Sequence, residues 1–344
     1  MSEGCGLGLL HELDVPVIAA PMAGGVSTPE LAAAANAAGG LGFLAAGYLS
    51  AEAMTERIGR LRALTARPFG VNVFVPDRDA ADPRALSAYR QRLAADAARL
   101  GVETGPALWG DDAYRDKLAA LRADPVPMVS FTFGCPAPDE IAALRRAGTE
   151  VLVTVTTAEE AAAADDAGAA ALCVQGAEAG GHQASFEDTH ERTTPLAQLL
   201  AEVRGRVRLP VVAAGGITDA ASAGRALAGG ALAAQLGTAL LRTPESGASA
   251  VHKDALARER FTRTVVTRAF SGRRARALAN RFVAEHGGLA PGAYPQVHHM
   301  TAPIRAAAAR AADADTLHLW AGTGFRSASE LPTARVVAGV AAGL

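Results

Sequence analysis

The chain has 344 residues, of which 50% are apolar, and its formal net charge is -2. This composition provides for a large hydrophobic core, and the nearly balanced charge gives no electrostatic reason to expect nucleic acid or an acidic membrane surface as a partner. No apolar run approaches the ~20 residues that a membrane-spanning helix requires, so we expect a soluble globular protein.

Short β-branched or apolar segments alternate with alanine-rich segments along the chain, which predicts alternating strands and helices. Several alanine-rich segments begin at a capping residue, as at Thr28, Thr157 and Asp219, and end at glycine. We predict eight strands, at residues 15–20, 41–45, 69–73, 127–131, 150–155, 170–174, 210–213 and 233–236.

Strands that are apolar throughout and are separated by helices are typical of a parallel sheet that is covered on both faces. Eight such units predict an α/β fold of the closed (β/α)₈ TIM barrel type, with an open doubly wound sheet as the alternative. We expect the barrel to occupy residues 1–244, with a helical insertion at about 77–123. Residues 245–316 are expected to form a small helical subdomain over the barrel mouth, and residues 317–344 to close on the barrel with a helix at 333–343.

The unusual polar residues and glycines follow the predicted strands, where the functional loops of such barrels lie. Pro21 and Met22 follow the first strand, and Asn72 interrupts the apolar third strand. A buried amide needs hydrogen-bond partners, so Asn72 is either a ligand contact or a satisfied core residue.

The sixth strand is followed by Gln175-Gly176-Ala177-Glu178-Ala179-Gly180-Gly181-His182. Its glycines allow close approach of the backbone to a ligand, and His182 is a candidate base, although a surface histidine is the alternative.

Two further glycine-containing loops follow the seventh and eighth strands. They are Ala213-Ala214-Gly215-Gly216-Ile217 and Gln235-Leu236-Gly237-Thr238. Small residues at these two positions form the recurring phosphate site of such barrels, where backbone N–H groups bind the anion. No dinucleotide-binding or P-loop glycine pattern is present. The sequence therefore predicts a phosphate-bearing ligand at the barrel mouth.

These segments, in this order, resemble the nitronate monooxygenase family, formerly called 2-nitropropane dioxygenases, and in particular its bacterial class I branch. The resemblance runs from about residue 15 to about residue 325. The segments that carry it are 20–25, Gly70-Val71-Asn72-Val73-Phe74, Val129-Ser130-Phe131-Thr132-Phe133-Gly134, 175–182, 213–217, 235–238 and Leu319-Trp320-Ala321-Gly322-Thr323-Gly324.

The resemblance implies an FMN-binding barrel that oxidises alkyl nitronates with O₂, and it implies roles for individual residues. Pro21, Met22 and Asn72 correspond to contacts with the flavin ring, and Gln175 and Gly180 to contacts near the ring and the ribityl chain. Gly216 and residues 235–238 correspond to the phosphate site. We add Gly181 and Gly215 to the cofactor-binding residues because they lie in the same loops. His182 takes the place of the catalytic base of the family.

The chain departs from the family pattern at two positions. Many relatives have histidine at the position of Thr132 and glutamine at that of Thr323, so the substrate is less well defined than the flavin site. Tyr294, His298 and His299 lie in a region similar to one that is rich in tyrosine in the family. Adjacent histidines do not converge on one ion without help, so we predict no metal site.

Three other functions are alternatives to nitronate or nitroalkane oxidation. One is reduction of a quinone or an enoyl thioester by NAD(P)H, for which the sequence shows no nicotinamide motif. The others are flavin binding without catalysis and binding of another phosphorylated ligand, such as a sugar phosphate. We expect a small-molecule substrate and O₂ as partners, and the sequence is compatible with a homo-oligomer without defining one.

The cysteines and the N-terminus together predict the cellular compartment. The N-terminal segment carries Glu3, Glu12 and Asp14 and lacks a basic stretch followed by an apolar one, so we expect no signal peptide. Cys5, Cys135 and Cys173 are few, odd in number and widely spaced, which favours a reducing, cytoplasmic location.

Overall fold

The structure is a computed structural model that describes residues 8–78 and 81–344, so Cys5 and Glu3 lie outside the described residues. Eight parallel strands form a closed barrel in which neighbouring strands follow each other in chain order and the last strand pairs with the first. All eight predicted strands are confirmed, three of them with the predicted bounds and five with an end moved by one or two residues. They are β1 Val17–Ala19, β2 Leu41–Ala45, β3 Phe69–Phe74, β4 Met128–Thr132, β5 Glu150–Val155, β6 Ala171–Gln175, β8 Val211–Ala214 and β9 Ala233–Leu236.

Twelve α-helices accompany the strands in the described part of the chain, and seven of them begin at a side chain that caps the first turn. The side chains of Thr28, Thr157 and Asp219 accept hydrogen bonds from backbone N–H groups three residues ahead, which satisfies donors that a helix leaves free. No helix among the described residues is long and apolar enough to cross a membrane. The helices are α1 Pro29–Ala37, α2 Ala51–Leu64, α3 Pro83–Arg99, α4 Tyr114–Ala123, α5 Pro138–Arg146, α6 Ala158–Asp166, α7 Leu196–Arg206, α8 Ala220–Ala228, α9 Ala250–Ala257, α10 Arg281–His286, α11 Gln296–Arg310 and α12 Thr333–Ala341.

The barrel strands bury both of their faces. Alternate residues, such as Val71 and Val73, pack outwards against the helices, while Phe43 and Met128 belong to a separate cluster that includes strand residues all around the barrel. Leu9 and Leu10 join this second cluster, and the Leu9 N–H donates to the carboxylate of Glu150, the first residue of β5, at 2.7 Å. The amino-terminal end of the barrel is thus closed, which leaves the carboxyl-terminal end for function.

The segment at 245–316 is not purely helical. Besides α9, α10 and α11 it contains β10 Thr264–Thr267 and β11 Ala275–Leu278, which the sequence analysis did not predict. These strands form an antiparallel sheet with β7 Gly181–His182, and His182 pairs with Ala275. The additional segment therefore holds the backbone of the predicted base. We keep the subdivision of the chain into a barrel, this subdomain and a closing segment as a proposal.

The two additions to the barrel form one body. We call residues 77–123 and 245–316 together the cap. Helix α3 packs against α11, and a hydrophobic cluster joins Tyr89 and Leu93 of the first addition to Phe270 and Ile304 of the second. The buried Tyr89 hydroxyl also donates to the Ala269 carbonyl at 2.6 Å. Because the additions share a core, neither is an independent unit.

A buried carboxylate also joins the two additions of the cap. Asp96 of α3 is only 4% exposed and accepts hydrogen bonds from Arg281 at 2.5 Å, from His286 at 2.8 Å and from Arg99 at 3.2 Å. These three partners keep the pKa of Asp96 low against the burial that would raise it.

Candidate functional site

A cavity of about 220 Å³ opens at the carboxyl-terminal ends of the barrel strands. Each of the eight barrel strands contributes to its wall through its last residues or through the loop that follows it, as the fold requires of a functional site. Among the predicted site residues, those that line it are Pro21, Met22, Asn72, Gln175, Gly180, Gly181, His182, Gly215, Gly216, Gln235, Gly237 and Thr238.

Leu236 is the predicted cofactor-binding residue that does not line the cavity. Its side chain is fully buried in the cluster between the barrel and its helices, and its carbonyl accepts a hydrogen bond from the Ala20 N–H at 2.9 Å. Side chains alternate along a strand, so a strand whose Gln235 faces the cavity must point Leu236 the other way. Leu236 therefore supports the site from behind.

The loops after β8 and β9 present backbone donors that have no acceptor. Among the residues that the structure describes, none accepts a hydrogen bond from the N–H groups of Gly215, Gly216 and Gly237. Gly215 and Gly216 have φ values of 114° and 68°, which side chains rarely allow. Free N–H groups brought together in such a conformation bind anions, so these loops fit a phosphate group.

Asn72 is the buried amide that needed partners. Its Nδ2 donates to the Ser130 Oγ at 2.9 Å, the Thr132 Oγ1 at 2.9 Å and the Ser130 carbonyl at 3.2 Å, all on the neighbouring strand β4. A carbonyl only accepts, so this contact fixes the amide nitrogen on the β4 side. Thr132, the residue that departs from the family pattern, therefore orients Asn72 at the cavity wall.

Gln175 uses both ends of its amide on the loop that carries His182. Its Nε2 donates to the His182 carbonyl at 3.3 Å, and its Oε1 accepts from the Ala184 N–H at 2.8 Å. The sequence analysis assigned Gln175 to the cofactor, and its side chain does line the cavity. Its hydrogen bonds nonetheless give it a second task, which is to fix the main chain on either side of the base.

His182 lies in the cavity wall among aromatic rings. Its ring centroid is 5.5 Å from that of Phe133, 5.8 Å from that of Tyr294 and 5.4 Å from that of Trp320. Burial, together with the nearby charges of Arg273 and Arg305, lowers the pKa of His182 to about 3. The imidazole is therefore neutral at physiological pH, which is the form that accepts a proton.

Two guanidinium groups give this region a positive field. Arg273 is 1% exposed, lies 4.2 Å above the Phe133 ring and has its nearest ion-pair partner, Asp77, at 3.8 Å. Arg305 forms no ion pair with any residue in 8–78 or 81–344 and donates instead to the Thr301 Oγ1 and the His298 carbonyl. Burial lowers the pKa of both, that of Arg305 to about 10, so both stay charged at neutral pH.

Several lining residues were not singled out from the sequence. Tyr48 and Phe133 come from the ends of β2 and β4, whereas His252, His318 and Trp320 come from the cap and the closing segment. The rule that directed attention to strand ends applies equally to Tyr48 and Phe133. The other three arrive from distant parts of the chain. Trp320 lies in a segment that carries the family resemblance, whereas no local pattern marks His252 and His318.

A second cavity of about 310 Å³ adjoins the first and shares part of its wall, including Tyr48 and His182. It is lined from the cap by His298 and Arg305. The rings of Tyr48 and His298 stack at 4.1 Å. Thr323, the second departure from the family pattern, is exposed and lines neither cavity.

Comparisons with known proteins agree with this geometry. The family model described as nitronate monooxygenase matches residues 9–342. A nitronate monooxygenase from Pseudomonas aeruginosa is 41% identical over 341 residues, which cover 94% of each chain. The structure of a nitroalkane oxidase from Streptomyces ansochromogenes is 54% identical, with a TM-score of 0.95 over 98% of this chain and 97% of that one. FabK from Thermotoga maritima is more distant, at 27% identity and a TM-score of 0.75 over 97% and 94% of the two chains.

Proposed function

The chain belongs to the nitronate monooxygenase family, and on that premise we propose that it oxidises alkyl nitronates, and the neutral nitroalkanes from which they form, with O₂ and with FMN as its cofactor. The observation that carries the proposal is the position of His182 in the wall of a cavity that also presents unpaired N–H groups suited to a phosphate. When bound, the flavin supplies the redox chemistry by accepting electrons from the substrate and passing them to O₂.

FMN fits the residues that are present. Enzymes of this family depend on a flavin. Gly215, Gly216 and Gly237 would hold its phosphate, and Asn72, Pro21 and Met22 would face its ring system. We propose FMN rather than FAD, with the phosphate as the last group of the ligand, because the sequence offers no second glycine-rich fingerprint that would hold the adenosine half of FAD.

The role that we propose for His182 differs between the two kinds of substrate. A nitronate is already deprotonated at its α-carbon, so the protein only has to bind and orient it. A neutral nitroalkane must first lose its α-proton, and a neutral imidazole beside the substrate can accept it. We propose His182 as this base.

The positive field supports an anionic species in the cavity. Arg273 and Arg305 lie close enough to His182 to lower its pKa, so they also act on a substrate beside it. A nitronate carries a negative charge, whereas a nitroalkane acquires one only when its proton leaves. The two guanidinium groups should therefore favour both the binding of the nitronate and its formation from the neutral acid.

The absorbance spectrum of the purified protein tests the proposal. We expect flavin bands, release of FMN rather than FAD on heating as judged by mass spectrometry, and anaerobic bleaching by an alkyl nitronate. Oxygen uptake should accompany turnover in air. Bleaching by NADPH, with no turnover of nitronate or nitroalkane, would instead establish the reductase alternative, and a protein that binds no flavin would overturn both.

We also propose a reducing, cytoplasmic location for the enzyme. Cys135 and Cys173 are free thiols, and burial raises the pKa of each, to about 11 and about 12, so neither is reactive at neutral pH. Lysis of the cells in denaturant that contains a thiol reagent, followed by mass spectrometry, checks that both remain reduced, because unfolding exposes the two thiols to the reagent.

A further inference from the structure

The imidazole of His182 has one hydrogen-bond partner among the described residues, and that partner belongs to the cap. Its Nε2 lies 2.8 Å from the Oγ of Ser271, a side chain that is 1% exposed. Ser271 precedes β11, the strand that pairs with β7, so the sheet that fixes the His182 backbone also brings the serine to its ring.

The surroundings of Ser271 define the direction of this hydrogen bond. The Ser271 hydroxyl lies 3.1 Å from the Arg273 carbonyl, which can only accept and has no other donor among the described residues, so we assign the hydroxyl proton to this carbonyl. The Arg273 N–H also donates to the same Oγ, at 3.3 Å. The hydroxyl proton is thus used, and the Oγ has a lone pair left for the imidazole. It follows that Nε2 of His182 carries the proton and donates it.

A neutral imidazole has one N–H and one lone pair, so a proton on Nε2 leaves the lone pair on Nδ1. No residue in 8–78 or 81–344 forms a hydrogen bond with Nδ1, and the His182 side chain lines both cavities. An acceptor without a partner at the wall of a substrate cavity is free to take a proton from a bound molecule.

We propose that Ser271 is a positioning residue that holds His182 in the Nε2–H tautomer, so that Nδ1 is the atom that removes the α-proton of a neutral nitroalkane. This inference rests on the proposed function. In the step, the α-carbon–hydrogen bond breaks, the proton moves to Nδ1, and the electron pair delocalises over the nitro group to give the nitronate. The resulting imidazolium keeps its Nε2–H donated to the Ser271 Oγ.

A serine suits this role better than a carboxylate would. A carboxylate at hydrogen-bond distance would favour the charged imidazolium and raise the pKa of His182. The neutral hydroxyl orients the ring and selects the tautomer without adding a negative charge. The base therefore stays unprotonated while the ring is held in place.

The tautomer itself can be measured without reference to activity. In the flavin-loaded protein labelled with ¹⁵N-histidine, the His182 signals are identified by their loss in His182→Asn. We expect the chemical shifts of a protonated Nε2 and an unprotonated Nδ1. A protonated Nδ1 in the parent protein would overturn the inference, whether or not the enzyme oxidises nitroalkanes.

The kinetic test uses Ser271→Ala, with Ser271→Thr to restore the hydroxyl. As a matched control we choose Ser185→Ala, because Ser185 is also 1% exposed and its Oγ has no hydrogen-bond partner. For Ser271→Ala we expect a loss of about tenfold in kcat/KM for a nitroalkane, a fraction of the ~10²–10⁴ that a general base contributes, because the ring then samples both tautomers. The nitronate reaction should change by less than about twofold to threefold.

The outcomes separate positioning from simple structural support. Recovery in Ser271→Thr, an unchanged Ser185→Ala and a mixture of tautomers in Ser271→Ala support the inference. Equal losses on nitroalkane and nitronate in Ser271→Ala would show that the serine only maintains the shape of the site, which overturns it. Absence of all nitroalkane and nitronate turnover in the parent protein, with the Nε2–H tautomer present, would count against the proposed function and not against the tautomer.

Discussion

Acid should destabilise this protein well before its carboxylates are protonated. Burial lowers the pKa of His182 to about 3, of His252 to about 4 and of His298 to about 2, and it holds the pKa of His318 well below its usual range. In the unfolded chain a histidine titrates near ~6.5. Below that pH the unfolded chain binds protons that the folded protein does not, so the free energy of unfolding falls as the pH falls.

The size of the effect follows from the same shifts. At pH 5.5 each histidine that stays neutral in the folded state lowers the free energy of unfolding by ~1.4 kcal/mol relative to neutral pH. The four together give a loss of up to about 6 kcal/mol. Domains are typically stable by only ~5–15 kcal/mol, so the predicted loss is a large fraction of the whole.

Urea unfolding between pH 7.5 and 5.5 measures this loss, followed by tryptophan fluorescence and circular dichroism. The matched variant is His252→Gln, because the Nε2 of His252 donates to the Trp320 carbonyl at 3.0 Å and a glutamine amide can do the same. Its pH-dependent loss should be smaller than that of the parent by ~1.4 kcal/mol. A free energy of unfolding that is constant over this range would refute the argument that these histidines are held neutral.

Three further substitutions test the site and the cap. His182→Asn should lower kcat/KM for a nitroalkane by ~10²-fold or more, in the range that a general base supplies, and that for a nitronate much less; equal losses would show that His182 orients or binds substrate. Gly237→Leu should weaken FMN binding by about tenfold to a hundredfold, the value of one charge-assisted hydrogen bond, because the added side chain would block the approach of the phosphate to the Gly237 N–H. The protein itself should tolerate the change, since a Cβ at this position meets only the Ala20 Cβ, at 3.7 Å. Fluorescence titration measures the affinity for FMN, Gly59→Ala in open space on α2 is the control, and an unchanged affinity would mean that the phosphate binds elsewhere. Asp96→Asn should cost about 3 kcal/mol in urea unfolding, because it leaves partly buried cations without their counter-charge; an unchanged midpoint would show that the network contributes nothing.

The barrel could be predicted from the sequence because its signals are local. Each strand is a short apolar run, and many of the helices, such as α1, α6 and α8, begin at a capping residue. Strands β10 and β11 were missed for the converse reason. They are four residues long, Arg276 interrupts β11, and their surroundings are rich in helix formers. The pairing of β11 with β7 is a contact across about 90 residues of chain, which no periodicity reveals.

In the candidate site, too, the features with a local sequence signal were predicted and those that depend on distant contacts were not. The loops at strand ends, such as those at Gly215 and Gly237, line one cavity because the barrel places all such loops at one end, and their binding of a phosphate stays a prediction. The sequence could not show which groups each side chain contacts. Gln175 binds the main chain around His182, and Ser271 meets the imidazole from another part of the chain. These relations depend on three-dimensional packing and carry no pattern of their own.

The shared core of the cap has a consequence for engineering substrate preference. A chimera that takes residues 245–316 from a relative would replace Phe270 and Ile304 while keeping the Tyr89 and Leu93 that pack against them. It would also separate Arg281 and His286 from the Asp96 that they surround. Grafting should therefore succeed when residues 77–123 and 245–316 are exchanged together, and homologous pairs of these segments are the natural units for recombination libraries.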